Sequence, residues 1–393
     1  MSIRSTLSTC LCMLAVHSAQ AAPHIPATGS EVVERLPRRL DPAQQELQRL
    51  RAQLAASPND LALAAAVARR HIATARRETD PRYLGYAQAA LAPWWAMSAP
   101  PNEVRLLRAT LLQSTHHFPE ALRDLDALVA AEPDHPQAWL TRATVQTVRG
   151  DYQGATRSCA RLSRLTSQLA SVSCIAGVGA MTGRAAASAA LLELTLRRDP
   201  DATPALQTWA LTLLAEIAER RGDAAGAEAR YKRALAISPR DSYLTGAYAD
   251  FLLDQQRPAD VLRLVRDQTR IDGLLLRHAL ALRQLPAQAD ALRAADDELR
   301  ARFNAATQRG DSVHQREQAR YELQVRGNAK TALALAQRNW AVQKESADMR
   351  VLLEAALKAG DKAAAKPVLD WVARNAVEDV AVQRLARQLN GGA

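Results

Sequence analysis

Gly222-Asp223-Ala224-Ala225-Gly226-Ala227-Glu228-Ala229-Arg230-Tyr231-Lys232-Arg233-Ala234, closed by Pro239, is the stretch that decides the fold. Gly with Asp makes a turn, and Pro ends the unit. Between them, Ala227 and Ala234 are small where two helices cross closely, and Tyr231 fills the gap beside them. The residues before the turn supply the first helix of the unit, with Leu211, Leu214, Ala215 and Ala218 on its apolar face. This is a helix–turn–helix unit, and the same frame recurs along the chain.

The turns mark the recurrence. They fall at His116-His117, Gly150-Asp151, Thr182-Gly183 and Gly222-Asp223. His117 to Gly150 and Gly150 to Gly183 are each 33 residues, whereas Gly183 to Gly222 is 39. The extra residues belong at Asp201–Leu206, around Pro204. Gln256-Arg257 follows 34 residues after Gly222, and Gly327 and Gly360 are again 33 apart. A period of this length means a solenoid of stacked helix pairs.

Composition agrees. Aromatics make up 4% of the 393 residues and hydrophobic residues 48%, most of them Ala and Leu, which favour close helix packing over strands. The net charge is +10, but the Arg residues are interleaved with Asp and Glu and form no dense basic block. This reads as solvated, charge-laced helix faces, and no nucleic-acid partner is expected.

The spacing and residue types resemble the tetratricopeptide repeat family, whose unit is a 34-residue helix–turn–helix. The best copy runs from Thr208 to Asp241. Trp139, Ala143, Gly150, Tyr152 and Ala155 match a second copy, and Leu107, Ala109, Phe118, Ala121, Leu125 and Pro133 a third. The copy from Ser242 keeps Tyr248, Ala249 and Leu252, but Val261 replaces its small residue. The resemblance implies an all-α, right-handed superhelical solenoid. Residues 42–270 form the array, clearest over 102–270. Residues 271–388 read as degenerate repeats, with a separate helical domain as the alternative, and 389–393 as a flexible tail.

Residues 1–21 read as a signal peptide. Arg4 precedes a short apolar run from Thr6 to Val16, and Ala19-Gln20-Ala21 fits the cleavage pattern. Cleavage after Ala21 predicts a periplasmic or secreted protein with no transmembrane segment in the mature chain. Residues 22–41, with Pro23, Pro26, Gly29 and Pro37, read as an irregular leader, and Asp41-Pro42 opens the first helix. Cleavage removes Cys10 and Cys12. Cys159 and Cys174 remain, at similar distances on either side of a turn near Leu165–Gln168. That placement predicts a disulfide.

No catalytic motif, cofactor site or metal site stands out. His116, His117 and His135 fall at opposite ends of a stacked pair and read as exposed turn residues. In the family, first helices line a concave groove. Carried over, the groove here starts with Leu106, Thr110 and Gln113. It continues with Gln137, Leu140, Thr144 and Thr147, then Trp209, Thr212, Glu216 and Glu219. Tyr243, Gly246, Asp250 and Leu253 complete it. This aromatic and acidic lining suits an extended protein or peptide segment with basic or polar side chains. The expected function is non-catalytic binding in cell-envelope assembly or export. The alternative is a glycan-binding or polysaccharide-export factor, which requires exposed aromatics clustered in the groove, such as Trp209 with Tyr243. An enzyme would instead show a polar pocket with perturbed acids facing 273–388. Self-association through an uncapped terminal repeat would make the protein a homo-oligomer.

Overall fold

The computed structural model describes Pro26, Thr28, Glu31 and residues 42–311 and 313–391. The expected signal peptide, Asp41, most of the leader and the last two residues lie outside them. The chain divides into two units, Met1–Glu46 and Leu47–Ala393, and the helix pairs belong to the second.

Among the described residues there are helices and no strands. Helix α1 (Pro42–Ala56) comes first, and its Leu47, Leu50 and Leu54 pack on the pair that follows. Nine pairs then succeed one another. They are α2 (Leu61–Glu78) with α3 (Arg82–Ala90), then, after a single turn α4 (Ala92–Trp95), α5 (Asn102–Ser114) with α6 (Phe118–Ala131). Next come α7 (Pro136–Arg149) with α8 (Tyr152–Leu162), α9 (Gln168–Gly179) with α10 (Ala185–Arg198), and α11 (Pro204–Arg220) with α12 (Ala224–Ile237). The later pairs are α13 (Ser242–Asp254) with α14 (Pro258–Val265), α15 (Asp272–Arg283) with α16 (Ala289–Gln308), α17 (Gln315–Gln324) with α18 (Ala329–Val342), and α19 (Ser346–Ala359) with α20 (Lys362–Arg374). Helix α21 (Val380–Gly391) closes the series against α19. It runs past 388, where the sequence suggested a flexible tail, and buries Leu389.

The turn chemistry explains the regularity. Eight of the nine pairs turn on a residue with positive φ: Thr79, His116, Gly150, Gly183, Gly222, Gln256, Gly327 and Gly360. A left-handed residue ends the first helix, and glycine adopts that shape without a Cβ clash. The Asp behind it caps the second helix. Asp151 accepts from the Gly154 amide at 2.8 Å, Asp223 from Gly226 at 2.9 Å and Asp361 from Ala364 at 3.0 Å. The ninth pair, α15 with α16, turns instead through a short 3-10 segment at Pro286–Gln288.

Leu211, Leu214, Ala215, Ala218, Ala227, Tyr231 and Ala234 are all buried. Tyr231 also reaches the next pair, with ring centroids 5.5 Å from Tyr248 and 5.8 Å from Phe251. Each first helix, from α2 to α19, packs on the first helix of its neighbour. These helices form one continuous inner wall, and the second helices lie outside it. A disulfide joins Cys159 on α8 to Cys174 on α9, with Cα atoms 5.5 Å apart, and ties the third pair to the fourth.

Candidate functional site

The inner wall carries the polar chemistry. On α11, Glu216 accepts from the Tyr243 hydroxyl at 2.6 Å and Glu219 from the Tyr231 hydroxyl at 2.8 Å. On α13, Asp250 is paired with both Arg277 and Arg320, and Asp254 with Arg350. Arg350 also reaches Glu354 at 2.8 Å, to which Gln324 donates at 2.8 Å. Arg316 bridges Glu317 at 3.1 Å and Glu345 at 2.8 Å. First helices of five successive pairs, α11 to α19, therefore share one hydrogen-bonded and ionic surface.

The charges on this surface are not equivalent. Burial disfavours ionisation of Asp250, but Arg277 and Arg320 more than offset it and hold the carboxyl down at about 2. Glu317, beside Arg316, is likewise held at about 2 against the effect of burial. Glu219 goes the other way. Burial pushes it up to about 8, with Asp254, Asp250 and Glu216 adding to the shift against the Tyr231 hydrogen bond. Burial also raises Glu216. The wall thus presents neutralised ion pairs on α13 to α19 beside two acids on α11 whose ionisation burial disfavours.

Helix pairs recur every 33 or 34 residues over most of the array, eight of the nine turn on a left-handed residue, and each places its first helix on one wall. The fold is a tetratricopeptide-like solenoid. No protein-family model matches the sequence, and no curated protein matches it. Solved structures similar to the solenoid include the human IFIT1 dimer with m7Gppp-AAAA, at 13% identity and a TM-score of 0.40 over 88% of this chain and 86% of that one. Yeast Tom70 is similar at 9% identity and a TM-score of 0.39, over 89% and 86% of the two chains. A tetratricopeptide repeat protein from Parabacteroides merdae is similar at 12% identity and 0.30, over 80% and 92%. The assignment of the solenoid rests on this chain's own repeats.

The residues expected to line the groove divide into three groups. Tyr243 is 66% exposed, and Gln137 and Thr144 are also open to solvent. Leu140, Thr147, Glu216, Glu219 and Asp250 are half-buried, as are Leu106, Thr110 and Gln113. Thr212, Gly246 and Leu253 are buried and line nothing. The Thr212 hydroxyl turns back to donate to the Thr208 carbonyl at 2.8 Å, satisfying itself within the helix. Gly246 lies beneath the Arg277 guanidinium, whose Nε donates to the Gly246 carbonyl at 3.0 Å.

Two further expectations are corrected. Trp209 does not stand beside Tyr243 as an exposed aromatic. It is half-buried and packs on an apolar cluster that also holds Cys174, Val178 and Trp340. His116 is a half-buried residue stacked on Phe118 at 5.2 Å, where an exposed turn residue was expected. His135 caps α7, its Nδ1 accepting from the Ala138 amide at 3.3 Å.

The sequence reading missed Asp254, Arg277, Arg316, Glu317, Arg320 and Arg350. All but Asp254, at the end of α13, sit on the first helices of pairs whose repeat signature is weak. The available signal was register: extending the first-helix positions into 273–388 places these charges on the same wall. The enzyme reading expected perturbed acids facing this region, and Glu216 and Glu219 are such acids. Two surface cavities, of about 430 and 510 Å³, lie elsewhere, lined by residues that include Tyr152 and Arg184 in one and Trp95 and Arg108 in the other.

Proposed function

We propose that this solenoid is an exported, non-catalytic scaffold that holds an extended protein or peptide segment on its inner wall, in cell-envelope assembly or export. The observation that carries the reading is the pairing of Tyr243 with Glu216. A large aromatic that is two-thirds exposed stands on a wall that is otherwise tied up in its own ion pairs. It offers apolar area, and the acids beside it offer hydrogen-bond acceptors to basic or polar side chains. Export is supported by the leading segment of the sequence, and the Cys159–Cys174 disulfide suits an oxidising compartment. The glycan reading is weaker, because Trp209 is half-buried against an apolar cluster instead of exposed together with Tyr243.

The test is site-directed photocrosslinking in the native host. A photoreactive phenylalanine analogue replaces Tyr243 in one variant and Leu191, exposed on α10, in another. A discrete protein adduct from position 243 and none from 191 supports the inner wall. Adducts from 191 alone move the contact to the outer face and overturn the reading.

A further inference from the structure

The nine pairs do not form an open arc. Intra-pair turns of the first half meet inter-pair loops of the second half, in register. At the first turn, the Thr79 hydroxyl donates to Ser242 at 3.1 Å, and Arg270 donates to the Glu78 carbonyl at 2.8 Å. At the second, His116 lies within the electrostatic reach of His314, Arg316, Glu317 and Glu345. At the third, the Lys344 amide donates to the Val148 carbonyl at 2.7 Å, and the Tyr152 hydroxyl to the Lys344 carbonyl at 3.4 Å. At the fourth, the Ala185 amide donates to Glu378 at 3.4 Å, and a Cβ on Gly183 would lie 2.9 Å from that of Ala376. At the fifth, Val380 stands 3.6 Å from where a Gly222 Cβ would be. The partners of these five successive turns advance in chain order from Ser242 to Val380.

The third contact is the most specific. The Lys344 ammonium lies over both Trp340 and Trp371, 5.1 and 5.7 Å from the ring centroids. Trp371 in turn lies flush on Gly150, where a Cβ would come within 2.6 Å of its Cη2. One apolar cluster spans the junction, from Tyr152, Val178 and Met181 to Trp340, Leu352 and Val377.

We infer that α19 to α21 and their loops are a clasp, which closes the solenoid on itself and must leave the turns at Gly150, Gly183 and Gly222 before a partner reaches the inner wall. The inference rests on reading that wall as the binding surface, which the closed seam faces. Gly150 and Gly183 serve two ends. Each adopts the left-handed turn and also leaves room for the clasp, so an added methyl strikes a partner that is remote in sequence.

The test compares two alanine substitutions at turns of the same shape. Gly150 has φ +80° and Trp371 against it; Gly360 has φ +70° and nothing within 4 Å. Both variants carry the backbone strain, and only Gly150→Ala carries the clash. Hydrogen exchange is followed at the Lys344 amide, whose partner is Val148. In parallel, Tyr243→Cys, with Cys10 and Cys12 replaced by serine, is labelled with a small maleimide and with a maleimide on a bulky polyethylene glycol. Gly150→Ala should expose the Lys344 amide while α19 stays protected, and should speed bulky labelling by at least about tenfold with little change for the small reagent. Gly360→Ala should match the parent in both. Trp371→Ala, which removes the clasp contact without straining Gly150, should act like Gly150→Ala and covers the case in which that variant fails to fold. A Lys344 amide that stays protected in both Gly150→Ala and Trp371→Ala overturns the clasp. So does bulky labelling that is already fast in the parent. Neither readout involves a partner, so they stand or fall independently of the crosslinking result.

Discussion

Replacing Glu219 with Gln should make the protein more stable in alkali and leave it unchanged in acid. Glu219 is pushed from its ordinary 4.5 to about 8, chiefly by burial. The folded chain therefore holds this proton more tightly than the unfolded chain does. The stability it confers is full below about pH 4.5 and is lost as the pH rises through about 8. Each tenfold change in proton affinity is about 1.4 kcal/mol, which sets a ceiling of about 5 kcal/mol on the loss. The side chain still meets some water, and solvent screening brings the expected effect to about 2 kcal/mol. Glutamine keeps an acceptor for the Tyr231 hydroxyl, now 2.8 Å from the carboxylate, and has no proton to lose. The assay is urea unfolding of parent and variant at pH 5.5, 7 and 9. His71, His116 and His278, all held down by burial, titrate alike in both proteins and cancel in the difference. The gap between variant and parent should open with rising pH. A gap that stays constant from pH 5.5 to 9 would mean that Glu219 is ionised throughout, and that desolvation does not govern the inner wall.

Other consequences are open to direct measurement. Cys159→Ser with Cys174→Ser should cost about 3 kcal/mol by freeing a short loop, and reductant should lower the melting temperature of the parent alone. Ala227→Leu, at a position with no exposed surface, should cost about 1–3 kcal/mol by overpacking, whereas Ala229→Leu on the outer side of the same helix should change stability by less than about 0.5 kcal/mol. Equal melting temperatures for the two leucine variants would contradict the close crossing of α11 and α12. Asp223→Ala removes the acceptor for the Gly226 amide and should lower the urea midpoint by the equivalent of about 1 kcal/mol.

The repeats were legible because their information is local. Gly150-Asp151 and Gly222-Asp223 announce a turn and a cap within two residues, and the small and large slots of each helix lie within one pair. Turns without glycine were harder. His116 and Gln256 could be placed by spacing, yet Thr79, which takes the same left-handed shape, fell where no copy had been aligned. Facing was harder still. On a helix, neighbouring positions differ by about 100°, so a small error of register turns a wall residue into a core residue. Thr212 and Leu253 were lost in this way. The charged partners of the wall were missed for a different reason: Arg320 and Arg350 belong to pairs whose slots have drifted, and only the stack places them opposite Asp250 and Asp254.

The seam was illegible in principle. Lys344 meets Val148, and Glu378 meets Ala185, across nearly 200 residues, and no local pattern encodes such a meeting. What the sequence does hold is one side of the contact, the glycine at 150. Asp, Asn or His can occupy a left-handed turn, as His116 does, so the turn alone does not oblige a glycine at 150. The ring of Trp371 does, because any Cβ there would overlap it. At Gly360 the same turn faces open space, and its glycine answers to the backbone alone. Two glycines that look identical in the repeat alignment are thus under different constraints, and only one of them reports how the array closes.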